Sequence, residues 1–465
     1  MNLAAINLQH LRAVRANRTE MGGSPADDSS VPMQPRSLAE LDLPEALLID
    51  LVLKHLVQAR ESTLAELAGR IALAGTILEP LLTSLRERRL IDISQRGMVD
   101  AQMGFRLTDT GRQRAAEAMA ASRYCGAAPV SLDQYRRCIE RQAIDRADVD
   151  GTDLRDALSD LAVTDGLFED LGSALNSGRS IYLYGPSGSG KTSLAERLIG
   201  ALPGTVRVPH ALWAGDQVIT VFDPSIHRMA PRAVDAASGL DRAARPDGRW
   251  VEVHRPVVVT GGELTLEALD LAFDPVTRIH AAPPQLKANG GLLIVDDLGR
   301  QRVSPRALIN RWIVPLDRRV DFLALTHGTR IEVPFDVRVV FASNLAPADL
   351  ADPAFVRRIG YKVHIGAMPE PSYRALVRSA CDRHGISIDD AMIDHLVRNL
   401  HVRHGQPLLP AIPFDLVDKL RDRAGYLGLP VRVSREQLDW AWRLYFGTGP
   451  GPAKPEGAHG AESKS

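Results

Sequence analysis

Cysteine is scarce: Cys125, Cys138 and Cys381 are the whole complement of a 465-residue chain. They are too few and too scattered for a disulfide framework or a C-x-x-C metal site, and a reducing cytoplasm is the expected home. The thirteen histidines never form H-E-x-x-H. His401 with His404 reads as an exposed helix end rather than a ligand pair, so no structural metal is expected. No run approaches the ~20 apolar residues that a membrane-spanning helix needs. Arg12, Arg15 and Arg18 are followed closely by Glu20, Asp27 and Asp28 with no compact apolar segment between, which indicates neither secretion nor organellar transit. Neither sign of charge dominates, because 56 basic residues against 57 acidic ones leave a net charge of −1. Nucleic acid or membrane binding would therefore need a local patch. Aromatics are sparse at 5%, but 45% hydrophobic and 24% charged residues are ordinary for a globular chain long enough for two or three domains.

Against these absences stands one dense motif. Gly185-Pro186-Ser187-Gly188-Ser189-Gly190-Lys191-Thr192 fits G-x-x-x-x-G-K-[ST]. The apolar segment 180–184 before it reads as a buried strand, and 192–199 after it has the apolar spacing of an amphipathic helix. Glycines let backbone N–H groups turn toward phosphate oxygens, and the helix N-terminus adds partial positive charge. Lys191 would reach the β- and γ-phosphates of ATP or GTP, and the Thr192 hydroxyl would join Mg²⁺, a hard cation that favours oxygen.

Leu292-Leu293-Ile294-Val295-Asp296-Asp297 is an apolar strand run ending in two carboxylates, the pattern of a Walker B strand. Asp296 would sit beside Mg²⁺, and Asp297 would polarise the attacking water. A further strand pattern over 337–344 ends at Asn344, an amide placed to hold that water or to sense the γ-phosphate. Between the two, segments 320–326 and 329–335 read as strands around His327-Gly328, preceded by a helix over 304–319.

Together these residues resemble the AAA+ ATPases. The resemblance implies an α/β fold: a P-loop core of parallel sheet flanked by helices, with a C-terminal helical lid. It makes Asn344 the first sensor and places an arginine finger in 352–359, with Arg358 the better match and Arg357 next. The strand pair at 320–335 looks like the pre-sensor hairpin of the MoxR-like and chelatase-like branch. Helical patterns at 373–384, 389–401, 415–427 and 435–446 would form the lid.

Three departures from the family pattern matter. Asp297 stands where the family usually has Glu, one methylene short, which points to slow hydrolysis. Phe414 stands where a second-sensor arginine is common, leaving Arg421 or Arg423 as replacements. After the strand at 256–260, Gly261-Gly262-Glu263-Leu264 replaces an aromatic-hydrophobic-Gly pore loop, which favours conformational remodelling over polypeptide threading.

Residues 43–118 have a different order: helices over 44–58, 63–70 and 76–89, a two-stranded ribbon closing at 104–108, and a helix from Thr110. This resembles a winged-helix domain. Its second helix-turn-helix element opens Thr76-Ile77-Leu78-Glu79-Pro80-Leu81 and keeps Arg86, Arg88 and Arg89 at its far end, a poor arrangement for base readout. Protein docking is favoured over DNA binding.

The expected organisation is a flexible tail over 1–40, a winged-helix-like domain over 41–122, a linker over 123–154, an AAA+ core over 155–365, a helical lid over 366–446 and a Gly/Pro-rich tail over 447–465. The expected function is ATP binding and hydrolysis, with Mg²⁺, coupled to remodelling of an unknown protein client by a homo-oligomer, a ring being the family's usual form. The alternatives are a DNA-associated ATPase and a slowly hydrolysing nucleotide switch.

Overall fold

The computed structural model describes residues 31–95, 103–143, 149–161, 163–231, 246–350 and 356–447. Its organising layer is a sheet of five parallel strands in the order Val257–Thr260, Leu292–Val295, Arg338–Ser343, Ile181–Tyr184, Tyr361–His364. Parallel strands require crossovers that cover both faces, so such strands read as unbroken apolar runs. Leu292, Leu293, Ile294 and Val295 are each at most 1% exposed. The pleat sends Ile181, Leu183 and Ile294 to one face, against Leu171, Leu194 and Leu198. Tyr182, Leu293 and Phe341 go to the other, against Leu308, Ile309 and Trp312. Truncating Ile294 to Ala in such surroundings costs about 2–5 kcal/mol.

Because all five strands run the same way, their carboxyl ends share one edge. The three central strands each hand a polar segment to that edge: Gly185 follows Tyr184, Asp296 follows Val295 and Asn344 follows Ser343. Ser304 caps the helix Pro305–Arg318 by accepting from the Ala307 N–H at 3.3 Å. The chain then makes the antiparallel hairpin Val320–Ala324 with Arg330–Pro334 before entering the Asn344 strand, as the sequence pattern predicts.

Residues 205–220, 250–254 and 272–281 hold β structure that the sequence pattern does not mark. Thr205–Pro209 pairs with Trp250–His254. Ala211–Ala214 and Gln217–Thr220 form a hairpin within a second five-stranded sheet that also takes in Ala272–Asp274, Ile279–Ala281 and Val130–Ser131. Val208, Leu212 and Ile219 pack with Leu323 and Val333 of the hairpin above. The segment read as linker thus carries a strand and the helix Leu132–Gln142, whose Tyr135, Cys138 and Ile139 are buried.

At the N-terminal end the order is helix Glu45–Ala59, strand Glu61–Thr63, helices Leu64–Ile71 and Gly75–Glu87, strands Ile91–Gln95 and Gly104–Leu107, and helix Asp109–Ala121. The ribbon gains a third strand, with Gly104–Leu107 in the middle. Thr63 ends the added strand and caps the next helix in a box with Glu66. The ribbon tip lies outside the described residues, as do residues 1–30 and 448–465 of the expected tails. Residues 32–33 are tied to the insertion through a Met33–Pro246 bridge and the Asp247 N–H to Pro32 carbonyl bond.

The C-terminal helices are Glu370–Asp382, Asp390–Asp394 continued by the π-helical His395–Val402, Ala411–Leu427 and Arg435–Phe446. Their core gathers Tyr373, Leu396, Leu416 and Trp442. One expectation is corrected here. His401 is 1% exposed, with Nε2 2.6 Å from the Tyr373 hydroxyl and Nδ1 3.1 Å from the Gln406 carbonyl oxygen. It lies on the inward stripe with Leu396, Val397 and Leu400, so it is a satisfied core histidine, whereas His404 is exposed. No helix among the described residues is long and apolar enough to cross a membrane.

Candidate nucleotide site

The loop 185–190 crosses from the strand Ile181–Tyr184 into the helix Lys191–Arg197, and its glycines are required by space as well as by φ. A Cβ on Gly185 would lie 2.1 Å from the Ile365 carbonyl oxygen. Gly190 caps the helix at φ +87°, a left-handed conformation that side chains disfavour. Lys191 folds back under the loop. Its Nζ donates to the carbonyls of Gly185 at 3.1 Å and Pro186 at 2.9 Å, and to Asn344 Oδ1 at 2.9 Å. Burial lowers the Lys191 pKa from its ordinary value, opposed by the nearby carboxylates of Asp296 and Asp297.

Thr192 Oγ1 donates to Asp296 Oδ2 at 2.7 Å, while Asp296 Oδ1 accepts from the Asp297 backbone N–H at 2.9 Å. A hydroxyl and a carboxylate converging in this way are the hard oxygen donors that Mg²⁺ favours, so the residues fit that ion. Asp297 sits at φ +50°, and its half-exposed carboxylate lies 3.8 Å from Arg300 Nη1. Behind it, Gln301 fastens the end of the strand by donating to the Asp296 carbonyl at 3.0 Å and accepting from the Gly299 N–H at 2.8 Å. Nothing in the sequence pattern marked Gln301.

The glycine loop opens onto a cavity of about 660 Å³. Leu161, Val163 and Leu167 form one wall, Ile365 and Met368 another, and Arg383, Ala411 and Phe414 of the C-terminal helices close it. The Ala411 N–H donates to the Gly188 carbonyl at 3.2 Å, so the C-terminal unit rests directly on the phosphate loop. An apolar slot continuous with a glycine-rich, Lys-bearing loop can take a purine at one end and a phosphate chain at the other.

Lys191, Thr192, Asp296, Asp297 and Asn344 are thereby brought to one edge. Arg357 and Arg358 are not: they occupy a turn in 356–359, the described part of the expected finger segment. Arg358 Nε donates to Asp317 Oδ2 at 2.9 Å, and neither arginine lines the cavity. Among the described residues no cluster of His, Cys, Asp or Glu forms a separate metal site.

Comparison with known proteins adds little beyond this geometry. A family model described as a domain of unknown function (DUF8689) matches residues 369–444, the C-terminal helices. No curated protein matches the chain. Among solved structures, the chain is similar to NtrX from Brucella abortus, with 16% identity, coverage of 80% of each chain and a TM-score of 0.40. It is also similar to the RuvB Holliday junction branch migration motor of Thermotoga maritima, with 13% identity, 62% of this chain and 71% of that one covered, and a TM-score of 0.35.

Proposed function

We propose that this chain is a Mg²⁺-dependent AAA+ ATPase whose nucleotide cycle remodels a protein partner. The observation that carries this reading is the meeting of Thr192 with Asp296 and of Lys191 with Asn344 at the carboxyl edge of one parallel sheet. Backbone N–H groups of the loop and Lys191 would hold the β- and γ-phosphates. Thr192 and Asp296 would hold Mg²⁺, which when bound neutralises phosphate charge. Asp297 and Asn344 would align water, and Arg358, with Arg357 beside it, would serve the site of a neighbouring subunit in a homo-oligomer. The hairpin Val320–Pro334, entering the Asn344 strand directly, supports placement in the MoxR-like and chelatase-like branch.

The N-terminal unit is proposed as a winged helix that docks protein. The exposed positions early on its helix Gly75–Glu87 are Thr76, Glu79, Pro80 and Thr83. That surface offers no cation to a base edge. A second reading, a switch that hardly hydrolyses, is favoured by the shorter Asp297 and its proximity to Arg300.

The deciding measurement is ATP turnover per subunit across protein concentration, with Lys191→Ala as the blank. Turnover that rises steeply as subunits associate supports the assembled ATPase. Flat turnover at the blank's level excludes it and leaves the switch.

A further inference from the structure

In the cavity above the phosphate loop, the C-terminal helical unit presents one cation, and it is not one of those the sequence offered. Phe414, near the start of the helix Ala411–Leu427, faces the cavity in company with Pro410 and Ala411, none of them charged. Arg421 is turned to Asp418 at 3.2 Å and Asp422 at 3.5 Å, while Arg423 lies over the Trp440 ring at 4.5 Å. Neither lines the cavity. Arg383, just past the helix Glu370–Asp382, does line it, together with Gly188, Ser189, Gly190 and Ser193. Its guanidinium carbon sits 4.9 Å from the centroid of the Phe414 ring.

We propose that Arg383 is the residue through which the C-terminal helices bind the phosphate chain of the nucleotide, and that Phe414 parks its guanidinium when no nucleotide is present. The proposal rests on the nucleotide-site reading above. Three observations support it. The Arg383 backbone N–H is bonded to the Ser379 carbonyl, but among the described residues its guanidinium has no hydrogen-bond or ion-pair partner, and the residue is exposed, so the side chain is free to swing. Arg197, the other arginine of the cavity, is already committed to Asp160 through both Nε and Nη2. Asp160, which also lines the cavity, is within electrostatic reach of Arg383.

The exchange is favourable in kind. An exposed cation over a ring is held weakly, whereas a guanidinium on a phosphate makes short, charge-assisted, often bidentate hydrogen bonds. Because Arg383 belongs to the C-terminal helices and the phosphates to the loop, the contact would make the seating of those helices depend on nucleotide charge. The cation would come from the helix before the one on which the family pattern sought it.

The test is equilibrium binding of ADP and ATP to the full chain carrying Arg383→Met, which keeps the length without the charge, or Arg383→Lys. Lys191→Ala serves as a control, and the melting temperature of each nucleotide-free variant is recorded. Arg383→Met should weaken both nucleotides about tenfold or more and flatten the salt dependence of binding, while Arg383→Lys stays closer to the parent. Equal losses in the Met and Lys variants, or no loss in either, would overturn the role of Arg383 while leaving the nucleotide site standing. Should the parent chain bind no nucleotide, or Lys191→Ala bind as the parent does, the nucleotide site falls and Arg383 with it.

Discussion

Lys191 donates through Nζ to Oδ1 of Asn344 at 2.9 Å, joining two neighbouring strands of the sheet across the mouth of the phosphate loop. A γ-phosphate bound by Lys191 would compete for this bond and release the Asn344 amide toward water. Asn344→Ala is expected to leave ATP affinity within a few-fold and to lower turnover on the order of 10²-fold, whereas Lys191→Ala should abolish binding. Titration of bound nucleotide beside single-turnover rates separates the two effects. Equal losses of affinity in both variants would contradict the division of labour.

The Thr192 and Asp296 pair makes a claim about the ion. Asp296→Asn and Thr192→Ala should each remove most of the Mg²⁺-dependent part of ATP affinity, so that adding a chelator changes the parent protein far more than either variant. A variant that kept its full response to Mg²⁺ would show that the ion is held elsewhere.

Arg358 is held by Asp317 at 2.9 Å with both side chains partly exposed, a pair worth roughly 0–1 kcal/mol and easily given up. Arg358→Ala should reduce turnover by ~10³ to 10⁵ without changing ATP affinity, the usual worth of an arginine finger. Mixing it with Lys191→Ala subunits should restore part of the activity, because each lacks what the other supplies. Activity that is never recovered on mixing would place Arg358 outside any shared site.

Acid stability follows from the buried imidazoles. Burial lowers the pKa of His55, His210, His227, His280 and His401 from the ordinary 6.5. Below about pH 6.5 the unfolded chain takes up these protons first, so stability falls with pH and levels off only once the folded imidazoles are protonated too. The melting temperature should therefore drop as pH is lowered from 7.5 to 5.5, and His401→Phe should drop less than the parent. A flat profile would refute the linkage.

What could be read from the chain alone was what repeats from one buried strand to the next. The runs 181–184, 292–295 and 338–343 are largely apolar because both faces of a parallel sheet are covered, and they are followed by the glycine loop, by Asp296 and by Asn344. The strands at 205–220, 250–254 and 272–281 were not legible, because they are three to five residues long and several of their partners are remote in sequence, as with Val130 against Leu212 and Thr205 against His254. His401 was misjudged because two histidines three apart on a charged stretch look solvated until Trp442 covers one of them. Arg383 gave no signal at all, since its place depends on how one helix end meets the ring of Phe414, 31 positions on in the numbering.

The short strand Val130–Ser131 has a mechanical consequence. Around it the chain is stitched from both sides: Gly126 accepts from His55, Ala128 donates to the Ile71 carbonyl, Pro129 accepts from the buried Arg249, and Arg123 donates to the Thr277 carbonyl. The N-terminal helices are thereby coupled to the β insertion by a stiff strut rather than hung on a tether. Whatever grips them pulls on the second sheet, and that sheet leans on the hairpin through Leu323 and Val333. Tugging at one end of the molecule would be felt three residues before the strand that leads to Asn344.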